Sequence, residues 1–198
     1  MTGSNKQGSI VTQDENAQNA FVVYFDKDSD KIVYARRRNW SYVATDYSYM
    51  DAPASGEWHY LTVVFDMENH LRKMYLDGEL KTSDPDTGTA APASNTAFRF
   101  GFVTWVHYFV GQLAEMSVWK GAFDAAQIAS IMTARPVGDA LSNCIGYWPF
   151  DGDDFLADKV AGVTWKRYNM DGYVLPEKED GSGVFGVVIT YSRALSSK

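Results

Sequence analysis

The sequence holds a single cysteine, Cys144, among 198 residues. One thiol cannot close an internal disulfide and leaves no cysteine framework for zinc, so disulfide-stapled scaffolds are excluded. Basic charge is also scarce: 18 Lys and Arg stand against 25 Asp and Glu, a net charge of −7 with a pI near 4.9. Phosphate recognition needs a basic face, and Arg36-Arg37-Arg38 is the one cluster that offers it, so nucleic acid is not an expected partner. No apolar run approaches the roughly 20 residues that span a bilayer. The opening Met1-Thr2-Gly3-Ser4-Asn5-Lys6 lacks the apolar stretch of a signal peptide, which leaves open an artificial boundary or a domain cut from a longer chain. Three histidines, His59, His70 and His107, are too scattered to form a metal triad or a nucleophile pair. No serine sits in a nucleophile-elbow glycine pattern.

Aromatic residues are abundant instead, at 15% of the chain, with 6 Trp, 12 Tyr and 11 Phe. Rings favour strands and also make flat contact surfaces. Strand signals run along most of the sequence. Ala20–Phe25, the polar turn Asp26–Asp30 and Lys31–Ala35 predict a hairpin. Tyr60–Phe65 and Leu71–Leu76 follow, the latter ending at the turn dipeptide Asp77-Gly78. A Pro-, Thr-, Ser- and Ala-rich loop is expected from Thr82 to Thr96, then strands at Ala97–Phe102 and Gly111–Trp119. Asp124 with Gln127 three residues on spells a capping box, and Phe123 is placed to staple onto Ile128. The resulting short helix stops before Pro136 and is expected to cover one end of a sandwich. Ile145–Phe150 predicts a further strand, with Pro149 marking an edge or bulge, and Val184–Tyr191 a last one. Short strands at regular spacing without crossover helices predict an all-β fold, a two-sheet antiparallel jelly-roll sandwich with one short helix. The expected division is a sandwich over 1–138. A C-terminal β-rich extension, 139–198, is expected to pack on it or begin a neighbouring domain.

Three stretches together resemble the laminin G-like branch of the concanavalin A-like lectin and glucanase superfamily. Gly56-Glu57-Trp58-His59 leading into Tyr60–Asp66 is similar to the family's Trp-His strand, with the Tyr-x-Asp-Gly signature following as Tyr75-Leu76-Asp77-Gly78. Phe109-Val110-Gly111-Gln112-Leu113-Ala114-Glu115-Met116-Ser117-Val118-Trp119 resembles the family's Phe-x-Gly-x-Ile-Asp-Glu-Val-x-Ile-Trp strand, with Ala114 in place of Asp. Tyr147-Trp148-Pro149-Phe150-Asp151 resembles the segment that borders such domains in bacterial multidomain proteins. The family's opening strands, which precede a stretch like Gly8-Ser9-Ile10-Val11, look short; a truncated N-terminus or strands supplied by the C-terminal tail would account for that. The resemblance implies a fold, and fold alone does not fix function.

Glycoside hydrolysis needs two carboxylates across the sugar, and the superfamily's glucanase pattern Glu-x-Asp-x-x-Glu is missing. Glu115 is isolated and reads as a structural carboxylate. Asp86-Thr87-Gly88 resembles the core of a sialidase Asp-box without its flanking residues and is set aside. Asp26, Asp28 and Asp30 have the alternate spacing of a calcium loop, but Lys31 and Arg37 stand where Gly and Glu are required, so a solvated turn is the better reading. Asp151, Asp153 and Asp154 form a second acidic group. No catalytic residue, metal ligand or cofactor is expected, although calcium at either acidic cluster stays open because some relatives in the superfamily bind it.

The aromatic clusters carry the functional reading. Asn39, Trp40, Tyr42, Tyr47 and Tyr49 mix rings with small polar groups, and Trp105, His107 and Tyr108 form a second set. Sugars stack their apolar faces on rings while polar side chains bond their hydroxyls. Asn39-Trp40-Ser41 is also a formal glycosylation sequon, relevant only on secretion by a eukaryote. The expectation is a non-enzymatic, lectin-like module that binds a polysaccharide or glycan, in a secreted, periplasmic or bacterial cell-surface protein with neighbouring domains. A protein-interaction or adhesion module and an unrecognised glycoside hydrolase are the alternatives.

Overall fold

The structure is a computed structural model that describes residues 7–15, 18–37, 45–54, 56–87, 97–103, 107–109, 111–133, 137–150, 159–160 and 186–191. The strands are β1 (Gln7–Glu15), β2 (Gln18–Asp26), β3 (Lys31–Arg37), β4 (Thr45–Asp51), β5 (Leu61–Asp66), β6 (Leu71–Leu76) and β7 (Glu79–Pro85). They continue as β8 (Ala97–Phe100), β9 (Phe102–Val103), β10 (His107–Tyr108), β11 (Ala114–Lys120), β12 (Cys144–Trp148) and β13 (Gly186–Tyr191). The helix α1 spans Ala125–Thr133, and a 3-10 turn spans Gly138–Leu141.

Two sheets face each other. One runs β4-β3-β2-β1-β10-β9, with β8 also on β1; the other runs β12-β11-β13-β5-β6-β7. Pairing is antiparallel except at β1/β10 and on both sides of β13, which lies parallel to β11 and β5. Strand alternation divides each sequence between core and outside. Phe21 and Val23 of β2, Ile32 and Tyr34 of β3, and Met50 of β4 meet Leu61 and Val63 of β5, Met74 and Leu76 of β6, and Met116 and Val118 of β11. The antiparallel sandwich expected from the sequence is therefore present, with parallel pairs at β13 and β10 that no local pattern announces.

Several segments depart from expectation. β4 and β7 occupy stretches that read as an aromatic cluster and as the start of a loop. β7 is an edge strand exposed along most of its length, so it lacks the apolar alternation of a buried one. The helix lies on the outer face of the second sheet, not at an end: Ile128 and Phe123 pack with Tyr60, Val64, Tyr75, Trp119 and Tyr147. Its capping box forms as spelled, with the Gln127 N–H donating to Asp124 at 2.9 Å and the Asp124 N–H donating to the Gln127 side chain at 3.0 Å.

The Trp-His and Tyr-x-Asp-Gly segments form one clasp at the β5–β6 end. Asp77 accepts the Tyr60 N–H at 2.7 Å and lies 2.9 Å from Nδ1 of His59, while its own N–H donates to the Tyr60 carbonyl at 2.9 Å. Gly78 has φ +80°, so the turn favours glycine, and a Cβ there would stand 3.2 Å from Sδ of Met132 on α1 and crowd that side chain.

At the β3–β4 edge the interior between the sheets turns ionic. The inward set Ile32, Tyr34 continues to Arg36, and the inward set Leu76, Met74 continues to Arg72. Both arginines are buried and engage the buried Asp86, which follows β7. Arg72 Nη1 also donates to the Pro85 carbonyl at 2.8 Å and lies 3.3 Å from Asp46 of β4. Its Nε reaches Ser48 and its Nη2 the Tyr47 carbonyl, each at 3.2 Å. Arg36 lies over the Phe65 ring, 4.0 Å from the centroid. The expected basic cluster at Arg36-Arg37-Arg38 is thus not a surface patch at Arg36, whose charge is consumed inside.

Two stability predictions follow from these contacts. Asp124→Ala lowers unfolding free energy by about 1 kcal/mol in urea denaturation through the lost cap, and an unchanged midpoint would contradict the role of the box. Asp86→Ala leaves buried arginine charge uncompensated and is expected to cost about 3–5 kcal/mol by the same measurement.

Candidate functional site: a tyrosine face on the first sheet

The outer face of β2, β3 and β4 is laid out by register. Asp26, Lys31 and Asp51 form one cross-strand row; Tyr24, Val33 and Tyr49 form the next; Val22, Ala35 and Tyr47 form the third. The opposite face of the same strands carries the core residues Phe21, Val23, Ile32, Tyr34 and Met50. Strand geometry therefore fixes which side the three tyrosines take.

Tyr47 and Tyr49 are 46% and 50% exposed, large fractions for two neighbouring rings. They stack with centroids 6.0 Å apart and planes 19° from parallel. Between the tyrosines the middle strand contributes Val33 and Ala35 to this face, both buried. Small side chains between phenols make a shallow aromatic surface, with Tyr24 half-buried on its far side. Burial first, then the neighbouring Tyr47 and Tyr49 phenols and Asp26, push the Tyr24 hydroxyl up to about 12. Burial, Tyr47 and Asp26 likewise raise Tyr49. Both phenols keep their protons at neutral pH and stay hydrogen-bond donors.

The hairpin end of the face is polar. Lys31 Nζ donates to Asp51 Oδ1 at 2.6 Å, and that hydrogen bond, with the ammonium's charge, holds the Asp51 carboxyl below the usual carboxylate range. Asp26 closes the turn, accepting the Asp28 N–H at 3.1 Å and the Ser29 hydroxyl at 2.8 Å. These are turn-closing bonds of the kind the acidic spacing led one to expect. Among the described residues no three His, Cys, Asp or Glu side chains gather as a metal site.

Of the residues singled out in the sequence, Tyr47 and Tyr49 come together on β4. Asn39, Trp40, Tyr42 and Trp105 lie outside the described residues. His107 and Tyr108 form β10, four strands from β4 in the same sheet, about 19 Å away at the usual strand spacing. Tyr108 pairs with Ser9, which pairs with Tyr24, so its backbone falls on the Tyr24–Val33–Tyr49 row. Nothing is described of the His107 and Tyr108 side chains. Tyr24, Lys31 and Asp51 were not anticipated: each sits in a run that carried a fold signal, and only register unites them.

Glu115 belongs elsewhere. It sits on β11 at φ +52°, where the pairing with β13 slips, and its buried carboxylate accepts the Tyr147 hydroxyl. That is the second sheet, away from the tyrosine face. His59 serves the Asp77 clasp, and Cys144 is a buried thiol donating toward the Val118 and Gly146 carbonyls.

Two facing sheets with a helix laid on the outside of one define a lectin- and glucanase-type β-sandwich. The laminin G-like family model of the concanavalin A-like lectin/glucanases superfamily matches residues 1–129, and the chain belongs to this family. No curated protein matches the chain. Among the described residues no helix is long and apolar enough to cross a membrane.

The phenol environment predicts a pH response. Tyr24 ionises near 12 in the fold and near the ordinary 10 when unfolded, so its contribution to stability is complete below pH 10 and is lost as pH rises toward 12. An alkaline absorbance titration should show phenolate appearing late, with Tyr24→Phe removing a late component. A loss confined to the region near pH 10 would contradict the burial of that hydroxyl.

Proposed function

We propose that the chain is a non-catalytic carbohydrate-binding module whose glycan lies on the Tyr24–Tyr47–Tyr49 face. The observation that carries this reading is the stacked, half-exposed Tyr47/Tyr49 pair on a face floored by Val33 and Ala35. Exposed rings cost solvation unless something covers them, and a sugar's apolar face matches a phenol face in size and chemistry. Neutral hydroxyls at Tyr24 and Tyr49 and the Lys31–Asp51 pair supply the polar groups that orient a ligand. A secreted, periplasmic or cell-surface setting, where polysaccharide is at hand, goes with this role.

Turnover is not part of the proposal. A glycosidase holds one carboxyl protonated as its acid, by burial or by a like charge. Asp51 is driven the opposite way by Lys31. Glu115 is committed to Tyr147 on the other sheet.

The test is affinity electrophoresis of the whole chain through gels containing polysaccharides. A Tyr47→Ala/Tyr49→Ala variant with an unchanged thermal midpoint is run alongside. Retardation that falls about tenfold or more in the variant is expected, since a buried aromatic anchor contributes over about 1 kcal/mol. Retardation insensitive to both rings would contradict the site. Migration unaffected by any polysaccharide, with binding to a protein partner through the same rings, would make this an adhesion module.

A further inference from the structure

The hairpin end of the tyrosine face has an excess of negative charge. Between Asp26 and Lys31, together with Asp51, the hairpin end of the face carries four carboxylates, Asp26, Asp28, Asp30 and Asp51, against two ammonium groups, Lys27 and Lys31. Lys31 is the cation at this end of the ring-bearing face, its charge matched at 2.6 Å by Asp51, while Arg37 falls by register at the opposite end, beyond Tyr47. The negative field reaches the rings, for Asp26 raises the Tyr24 and Tyr49 hydroxyls.

The Lys31–Asp51 pair is solvated, with the Asp51 side chain 91% exposed. Such a pair adds little to stability. It does present a donor beside an acceptor. Oδ1 of Asp51 takes the lysine, while among the described residues Oδ2 receives no hydrogen bond. Tyr47, Tyr49 and Asp51 alternate along β4, so rings and carboxylate are rungs about 6.7 Å apart on one side of one strand. A sugar stacked on Tyr49 brings its edge to this pair. Adjacent hydroxyls can then donate to Asp51 Oδ2 and accept from Lys31 Nζ, both charge-assisted bonds. A uronate, sialate or sulfate at the hairpin end would meet Asp26 and Asp51 where the facing cation, Lys31, is already matched, a like-charge penalty that discriminates against it.

We propose that this face selects neutral glycans, with the Lys31–Asp51 pair reading a vicinal diol at the end of the tyrosine stack and the surrounding carboxylates rejecting anionic sugars. The proposal rests on the tyrosine face being the glycan site.

The experiment compares the full chain on neutral gels (a β-glucan, a xylan, a mannan) and on anionic ones (a polygalacturonate, heparin). The variants are Asp51→Asn, Lys31→Gln and Asp26→Asn/Asp51→Asn, each checked for an unchanged thermal midpoint. Expected are retention by at least one neutral polymer and none by the anionic ones. Asp51→Asn should weaken neutral binding about tenfold, the usual weight of a charge-assisted bond, and Lys31→Gln should weaken it similarly. The double variant should gain salt-sensitive retention on the anionic gels. Binding to an anionic polymer that requires Tyr47 and Tyr49, with neutral polymers ignored, would overturn the selectivity and keep the site. Neutral binding that requires the rings but ignores Asp51 and Lys31 would overturn the diol reader alone. No ring-dependent binding to any polymer would bring down the glycan reading beneath it.

Discussion

Arg72 is the residue on which the tyrosine face depends most. It starts from β6 in one sheet and crosses the interior to β4 in the other, where it bonds Ser48 and the Tyr47 carbonyl and pairs with Asp46. β4 is an edge strand, held on its one side by β3. Its other side would present unpaired backbone groups to solvent, and one of them is capped by this guanidinium. Burying two arginines costs several kcal/mol each in lost hydration, and the geometry must be good to offset that. It is good here: Arg72 makes four directed contacts and Arg36 combines Asp86 with the Phe65 face. Thr87 extends the network by donating its N–H to Asp46 at 2.8 Å.

The consequence for the site is geometric. Residues alternate across β4, so fixing Ser48 and Met50 inward fixes Tyr47, Tyr49 and Asp51 outward. A one-residue slip would bury the rings and expose Ser48. Because Ser48 is gripped from the opposite sheet, that slip would break the interior network as well. The tyrosine pair thus stands on a strand whose register is set twice, by β3 alongside and by Arg72 beneath. Rigid rings on a fixed strand lose little freedom when a ligand covers them, which favours affinity from a small contact.

How much of this was legible in the sequence depends on how local each signal is. The capping box at Asp124 and Gln127 needs three residues and formed as written. The hairpin from Ala20 to Ala35 and the β5–β6 pair were announced by β-branched and aromatic runs broken by polar turns, and the order of the family-like segments pointed to the sandwich. β4 was not read as a strand because its inward residue Ser48 is polar, and the reason, a bond to Arg72, lies 24 positions away. β7 was hidden for the complementary reason that neither of its faces is much buried. The network of Arg36, Arg72, Asp46 and Asp86 has no local pattern at all. Each member looks like an ordinary surface charge until topology stacks β3, β4, β6 and the end of β7 around one point. Tyr24 joined the site in the same way, through a register row.

Tyr47 and Tyr49 are proposed as the floor of a glycan site. The most direct measurement is an NMR titration of protein with ring-labelled tyrosine against a neutral oligosaccharide. Saturable shifts are expected in the Tyr24, Tyr47 and Tyr49 ring signals, with the core rings Tyr34, Tyr60 and Tyr147 unmoved. Saturable binding that moves other rings and leaves Tyr47 and Tyr49 in place would contradict it.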